Sequence, residues 1–184
     1  HPMGNTHPRF WGWVIGSGTP FGALAEMVAA QMNSPVSGLR TAAVNVEEQV
    51  LDWMKELLGF PHTSSGLLAS GGSMANILGL AVGLDAKAGF DLAEEGLGAA
   101  PERLVLYGSN QTHYSVDKGV RLLGLGRSAY RKIAVDDRFR IDVAELSRAI
   151  AADRAAGRRP FLVIGNAGTV NTGACDDLEQ LADL

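Results

Sequence analysis

Three polar loops contain the residues of this 184-residue sequence that could carry chemistry. The first, S-G-G-S-M-A-N at residues 70–76, lies between a short apolar segment and a helical pattern. Its glycines let backbone N–H groups approach a ligand closely, and a helix start adds partial positive charge. A phosphate monoester would fit there, with the Ser73 hydroxyl as a further donor. The alternative interpretation is a tight turn with a serine cap, since the loop matches neither a Walker loop nor a G-x-G-x-x-G fingerprint.

Two further loops carry a histidine and a cluster of hydroxyls and amides. The loop S-N-Q-T-H-Y-S at residues 109–115 places His113 where it could stack on a planar ligand or protonate it. The loop N-A-G-T-V-N-T-G at residues 166–173 could hydrogen-bond a ring substituent or a carboxylate of a ligand. An exposed or capping histidine and ordinary turn residues are the alternatives for these two loops.

An alternation of apolar segments and helical patterns must position these loops. Strands are predicted at 66–69, 104–107, 133–135 and 161–164, and helices at 73–88, 115–123, from Asp142 to Gly157 and from Asp176 onward. Glu145 follows Asp142 in capping-box register. Such alternation predicts a largely parallel sheet, in which active sites lie at the carboxyl ends of the strands. We therefore expect the three loops to converge on one cleft.

The first third of the chain has a different pattern. Apolar positions recur at helical spacing over residues 21–32 and 44–58, and Gly59 and Pro61 end the second segment. Both patterns are typical of helices that pack in a core. Residues 1–60 are thus predicted to form an N-terminal helical segment, and residues 61–184 the first part of an α/β domain. Because the last helical pattern stops at Leu184 after a few turns, we expect the sequence to be a truncated piece of a larger domain.

Composition limits the function classes. Twenty acidic and sixteen basic residues give a net charge of −4, so nucleic acid is not an expected partner. No apolar run reaches the about 18 residues that span a bilayer, and the start of the sequence is not a signal peptide. The single cysteine cannot form an internal disulfide, and the four histidines show no zinc-ligand spacing. A cytoplasmic α/β protein is the resulting expectation.

Taken together and in this order, the motifs resemble those of the group II pyridoxal-phosphate-dependent decarboxylases. This family includes the aromatic-L-amino-acid, histidine and glutamate decarboxylases. The resemblance also includes H-P-R-F-W-G-W at residues 7–13 and V-L-D-W-M-K-E-L-L-G at residues 50–59, so it covers nearly the whole chain. It implies the early part of a fold type I large domain, with a mainly parallel sheet flanked by helices and preceded by a helical segment.

The resemblance implies roles for individual residues of the three loops. Gly72 and Ser73 match positions that bind the phosphate of pyridoxal 5'-phosphate. His113 matches the histidine that stacks on the pyridine ring and helps to handle the substrate carboxylate and the proton. Thr169 falls in the loop that contacts the ring-oxygen side of the cofactor, although Val170 stands where some relatives have a second threonine.

The H-P-R-F-W-G-W segment is a weaker part of the implied site. The family places it near the substrate pocket, which makes His7, Phe10, Trp11 and Trp13 candidates for lining that pocket. Without the resemblance, the aromatic residues of this segment are interpreted as packing residues.

Two motifs of the family are absent from the sequence. The family forms its Schiff base through the lysine of an H-K-W-like motif and pairs the pyridine nitrogen with the aspartate of an H-V-D-A-like motif. The lysines present, at positions 55, 87, 118 and 132, lie in other patterns, so the 184 residues alone are expected to be inactive.

For the intact protein, the resemblance implies a homodimer that decarboxylates an L-amino acid. A transaminase or carbon–carbon lyase of the same fold, or a non-catalytic relative, are the alternatives.

Overall fold

The computed structural model describes residues 4–13, 15–35 and 40–184, and it divides the chain into one unit up to Ala69 and a second from Ser70. The first unit contains α1 (Pro20–Met32) and α2 (Ala42–Leu58), which confirms both predicted helices. Thr19 caps α1 by accepting a hydrogen bond from the N–H of Gly22. The domain division expected between residues 60 and 61 stays a prediction.

The apolar faces of α1 and α2 are exposed in this chain. All residues of both helices are described and none is buried, so the expectation that they pack in a core of the chain is wrong. Phe21 is 84% exposed and Leu57 is 75% exposed. A groove of about 600 Å³ lies between the helices and is lined mainly by small and apolar residues such as Val28, Met32 and Val46. Contiguous apolar patches of this kind are uncommon on the surface of monomeric soluble proteins.

The second unit alternates helices with strands, as the sequence predicts. Its elements are α3 (Gly72–Lys87), α4 (Leu92–Glu95), β1 (Arg103–Ser109), α5 (Ser115–Leu122), β2 (Tyr130–Ile133), α6 (Val143–Ala155), β3 (Arg158–Ile164) and α7 (Leu178–Ala182). The three strands pair in the order β2-β1-β3, and both pairings are parallel. The expected α/β class with a parallel sheet is confirmed. Among the described residues, no helix combines the length and the apolar character that crossing a membrane requires.

Helices cover both faces of the sheet, and β1 lies at its centre. Leu104 and Leu106 point into a core shared with α3 and α5, whereas Val105 and Tyr107 point into a second core shared with α6. Successive side chains of a strand face opposite sides of the sheet, so both sets are buried. This explains why the sequence of β1 is a continuous apolar run rather than an alternating one.

Two of the predicted strands differ from the structure. Residues 66–69 form no strand, and the N–H of Leu68 bonds to the carboxylate of Glu47 at 2.7 Å rather than to a neighbouring strand. The strand predicted at 133–135 lies earlier, because Tyr130 pairs with Leu106 of β1. After Ile133 the chain leaves the sheet towards the Asp142 cap of α6, whose carboxylate accepts from the N–H of Glu145 as predicted.

A buried carboxylate joins α6 to all three strands. Asp153 is only 4% exposed and accepts hydrogen bonds from Tyr107 at 2.8 Å, Arg131 at 3.0 Å and Arg158 at 2.6 Å. The bidentate guanidinium of Arg131, together with those other donors, lowers the pKa of Asp153 to about 2. Burial raises the pKa of Tyr107, so its hydroxyl stays a donor. One residue of α6 therefore ties the helix to the three neighbouring strands.

Replacing this carboxylate by an amide should destabilise the second unit in a pH-dependent way. Because the pKa of Asp153 is lowered in the folded state, its stabilisation is present above the unfolded pKa and is lost as the pH falls towards about 2. Asp153→Asn should cost about 2 kcal/mol at pH 7, and the difference from wild type should shrink between about pH 4 and pH 2.

The measurement is urea unfolding across that pH range, with Asp85→Asn on the exposed face of α3 as the control. A pH-independent difference between Asp153→Asn and wild type would contradict the assignment.

Candidate functional site

Two of the three polar loops leave the sheet side by side. β1 and β3 are parallel neighbours, and Gly108 near the end of β1 pairs with Ile164 at the end of β3. The loop that begins at Ser109 and the loop that contains Asn166 therefore start at the same carboxyl edge. This is the edge at which open α/β sheets bind their ligands.

The side-chain amide of Asn166 connects these two loops. Its Nδ2 lies 3.1 Å from the Thr112 hydroxyl and 3.3 Å from the Ser109 hydroxyl, both on the loop after β1. The same nitrogen lies 2.9 Å from the carboxylate of Asp176. Thr112 directly precedes His113, so Asn166 fixes the segment that carries the histidine.

Asp176 anchors the other end of the third loop. Its carboxylate is 6% exposed and accepts the backbone N–H groups of Ile141 and Asn166, each at 2.7 Å. Those two bonds and the Asn166 amide satisfy a buried anion with N–H donors rather than with a cationic side chain. Asp176 thereby holds together the β2–α6 connection, the end of β3 and the segment that leads into α7.

Between these anchors the third loop folds on itself around Thr169. Gly168 has a φ of +92°, a conformation that favours glycine, and it begins the turn. Thr169 is 8% exposed, and its hydroxyl lies 2.6 Å from that of Thr172. Thr169 is thus held at the site edge with its hydroxyl already engaged within the loop.

The first loop is joined to the second through a close contact of α3 with α5. Gly119 of α5 makes this contact possible, because a Cβ at that position would lie 2.6 Å from Leu80 of α3. One turn earlier on each helix, Asn76 Nδ2 donates to the Ser115 hydroxyl at 2.8 Å. The same hydroxyl lies 2.8 Å from Nδ1 of His113. A chain of hydrogen bonds therefore runs from the first turns of α3 to the histidine.

The four main candidate residues lie on the three loops that these hydrogen bonds join. Gly72 and Ser73 are the first two residues of α3, and both are exposed. No atom lies within 4 Å of the position that a Cβ would take at Gly72, and the first N–H groups of a helix have no partner inside it. His113 is also exposed, next to the ring of Tyr114 at 4.3 Å between centroids. The open helix start and the exposed imidazole are accessible to a ligand.

The candidates for the substrate pocket lie in the first unit. His7 Nδ1 accepts the N–H of Arg9 at 3.1 Å within a short turn. Trp11 is 90% exposed and Trp13 is 70% exposed, so neither packs in a core of this chain. The pocket role of His7, Phe10 and Trp11 stays a prediction.

The sequence motifs do not by themselves indicate the side chains that hold the loops together. Asn76, Ser115, Asn166 and Asp176 lie in or beside the quoted motifs, but their pairing joins residues 10 to 39 positions apart. The one available signal was the position of Asn166 and Asp176 at the two ends of the third loop. In the described part of the chain, no group of three or more His, Cys, Asp or Glu residues could hold a metal ion.

A buried hydroxyl lies under the second loop. The Tyr130 hydroxyl would be 2.7 Å from a Cβ at Gly108, so the glycine leaves room for the ring to cross β1. Within the described residues this hydroxyl has no hydrogen-bond partner. Burial raises the pKa of Tyr130, so the group stays protonated.

Comparison with known proteins places the chain in one family. The model of the pyridoxal-dependent decarboxylase conserved domain matches residues 5–184. The chain is 40% identical over 180 residues to the aromatic-L-amino-acid decarboxylase of Bacillus atrophaeus and 32% identical to the cysteine sulfinic acid decarboxylase of Rattus norvegicus. Each alignment covers 97% of the chain and 36% of the relative, so the chain spans about a third of their length.

A solved structure leads to the same family. The crystal structure of mouse CSAD superposes with a TM-score of 0.88 at 31% identity, over 97% of this chain and 37% of that one. The chain therefore belongs to the pyridoxal-dependent decarboxylases.

Removing the Asn166 amide should loosen the loop cluster. Asn166→Ala leaves the Asp176 carboxylate and two hydroxyls without that donor, and should cost about 1–3 kcal/mol. The thermal midpoint should fall, and amide hydrogen exchange should accelerate in residues 109–113 and 166–176. The control, Asn171→Ala, changes an exposed amide of the same loop and should alter stability by less than about 0.5 kcal/mol. Equal effects of the two substitutions would contradict the role given to Asn166.

Proposed function

We propose that this chain forms part of an enzyme that removes the α-carboxylate of an L-amino acid as carbon dioxide, using pyridoxal 5'-phosphate. Family membership supports the proposal, and both relatives described above are named as amino-acid decarboxylases. The observation that carries it is the hydrogen-bonded cluster of three loops, which combines an open helix start with an exposed histidine.

The residues of the loop cluster fit the cofactor. At the start of α3, the unpaired N–H groups and the exposed Ser73 hydroxyl form a set of donors suited to a phosphate dianion. The helix dipole adds to the attraction. The exposed imidazole of His113 would stack on the pyridine ring, and the loop that contains Thr169 begins at the same edge of the sheet. These residues would hold the two ends of the cofactor.

The cofactor, when bound, supplies the electron sink that accepts the electron pair left by the departing carboxylate. The residues of this chain bind and orient it. Ser73 and the start of α3 would hold the phosphate, and His113 would stack on the ring and serve as a donor or acceptor of a proton. Three lysines already have partners, Lys55 and Lys132 with carboxylates and Lys118 with the ring of Tyr114. We propose that the Schiff-base lysine and the carboxylate for the ring nitrogen come from the rest of the enzyme.

We further propose that the enzyme is a cytoplasmic homodimer. The exposed apolar faces of α1 and α2 support an interface with a second copy, because such faces are rarely left in contact with water. Cys175, the only cysteine of the sequence, is a free exposed thiol, as expected in a reducing compartment.

The reaction itself can be tested with carboxyl-labelled amino acids. The full-length protein loaded with pyridoxal 5'-phosphate should release labelled carbon dioxide and form the amine in equal amounts. Aromatic L-amino acids and cysteine sulfinic acid are the first substrates to try, because relatives are named for them. Formation of a keto acid without release of the label would identify a transaminase and contradict the proposal.

Two substitutions should separate binding of the cofactor from its use. Ser73→Ala removes a hydrogen bond to a charged group, so the Kd for pyridoxal 5'-phosphate should rise about 10- to 100-fold. His113→Ala should lower kcat by about 10²- to 10⁴-fold through loss of its proton-handling role, while the Kd changes less than about tenfold. Absorbance titration gives the Kd, and carbon dioxide release gives kcat. A reversed pattern, with His113 controlling binding and Ser73 controlling turnover, would contradict the assignment.

A further inference from the structure

The hydrogen bonds of His113 define which of its ring nitrogens carries the proton. Nδ1 lies 2.8 Å from the Ser115 hydroxyl and 3.3 Å from the backbone nitrogen of Ser115. A backbone N–H can only donate, so this contact requires Nδ1 to be an acceptor. An acceptor Nδ1 has no proton, and in the neutral imidazole the proton must then be on Nε2.

The contact of Asn76 with Ser115 favours the same proton position on His113. Its Nδ2 donates to the Ser115 hydroxyl oxygen at 2.8 Å, so that oxygen acts as an acceptor towards α3. The Ser115 proton is then free to point at Nδ1 of His113. The backbone N–H of Ser115 requires an acceptor at Nδ1 whichever way round the Asn76 amide is placed.

The surroundings make this relay a fixed feature. Ser115 is fully buried, at 0% exposed, so water does not compete for its hydroxyl. The contact of Gly119 with Leu80 holds α5 against α3 one turn away and keeps Asn76 within reach. His113 itself is exposed. The relay therefore orients one side of the ring from the protein interior and leaves the other side to a ligand.

We propose that Ser115 and Asn76 are positioning residues that keep the proton of the neutral His113 imidazole on Nε2. Nε2 then acts as a hydrogen-bond donor on the accessible side of the ring. Its use towards the substrate carboxylate or the α-carbon rests on the proposed decarboxylase function. The position of the proton on the ring is independent of that proposed function.

The proton position can be measured without any assay of activity. In ¹⁵N NMR spectra of the histidine-labelled full-length protein, at a pH where the ring is neutral, a protonated nitrogen and an unprotonated one give separate signals. The signals of His113 are those that disappear in His113→Gln. Wild type should show an unprotonated Nδ1 and a protonated Nε2.

Asn76→Asp gives the sharpest test, because a carboxylate can only accept. The Ser115 proton should turn towards the new carboxylate, and the Ser115 oxygen should accept a proton from Nδ1. The substitution should therefore move the His113 proton from Nε2 to Nδ1 in a measurable fraction of the molecules, because the backbone N–H of Ser115 still favours an acceptor at Nδ1. The matched control is Asn110→Asp, which adds the same charge on an exposed residue whose side chain bonds to Gln111 instead. It should leave the spectrum as in wild type.

Ser115→Ala supplies a second readout. Loss of the hydroxyl should give a mixture of both proton positions and lower kcat on the order of tenfold, with an unchanged Kd for pyridoxal 5'-phosphate. A proton on Nδ1 in wild type, or wild-type spectra from both Asn76→Asp and Ser115→Ala, would overturn the proposal. If the spectra behave as expected but no carbon dioxide is released, the proposed function fails and the relay stands.

Discussion

Backbone and side-chain polar groups at the carboxyl edge of the sheet need hydrogen-bond partners, because β1, β2 and β3 end there and the connection that follows each strand begins. The Asn166 amide and the Asp176 carboxylate do this with short contacts to hydroxyls and backbone N–H groups. Every candidate residue after β1 and β3 depends on these contacts. Since a buried carboxylate without donors would be costly, the loops and the anion stabilise one another.

A second buried carboxylate fixes the scaffold beneath that edge. Asp153 ties α6 to the three strands, while the close contact at Gly119 fixes α5 to α3 on the other face. The sheet is therefore held from both sides. Loops on a rigid scaffold keep the accurate geometry that binding and proton transfer require. By contrast, α1 and α2 expose their apolar faces in this chain, which supports a role in assembly.

Local patterns predicted much of this architecture. The strand predicted at Leu104 to Tyr107 and the cap predicted at Asp142 are confirmed. Both predictions use signals from residues close together in the sequence: a continuous apolar run for a buried strand, and a capping side chain at a helix start. The strand at 66–69 was wrong because a short apolar run does not say whether a pairing strand is available. The sequence motifs single out the three loops, whereas they do not predict the bonds of Asn76 to Ser115 and of Asn166 to Thr112. Those contacts depend on the packing of elements distant in sequence.

The central claim is that the start of α3 and His113 hold opposite ends of one cofactor. A crystal structure of the full-length protein with pyridoxal 5'-phosphate tests it most directly. The phosphate should lie within hydrogen-bond distance of the Gly72 and Ser73 N–H groups, with the imidazole of His113 stacked on the pyridine ring. A phosphate bound away from α3, or a ring that does not contact His113, would contradict it.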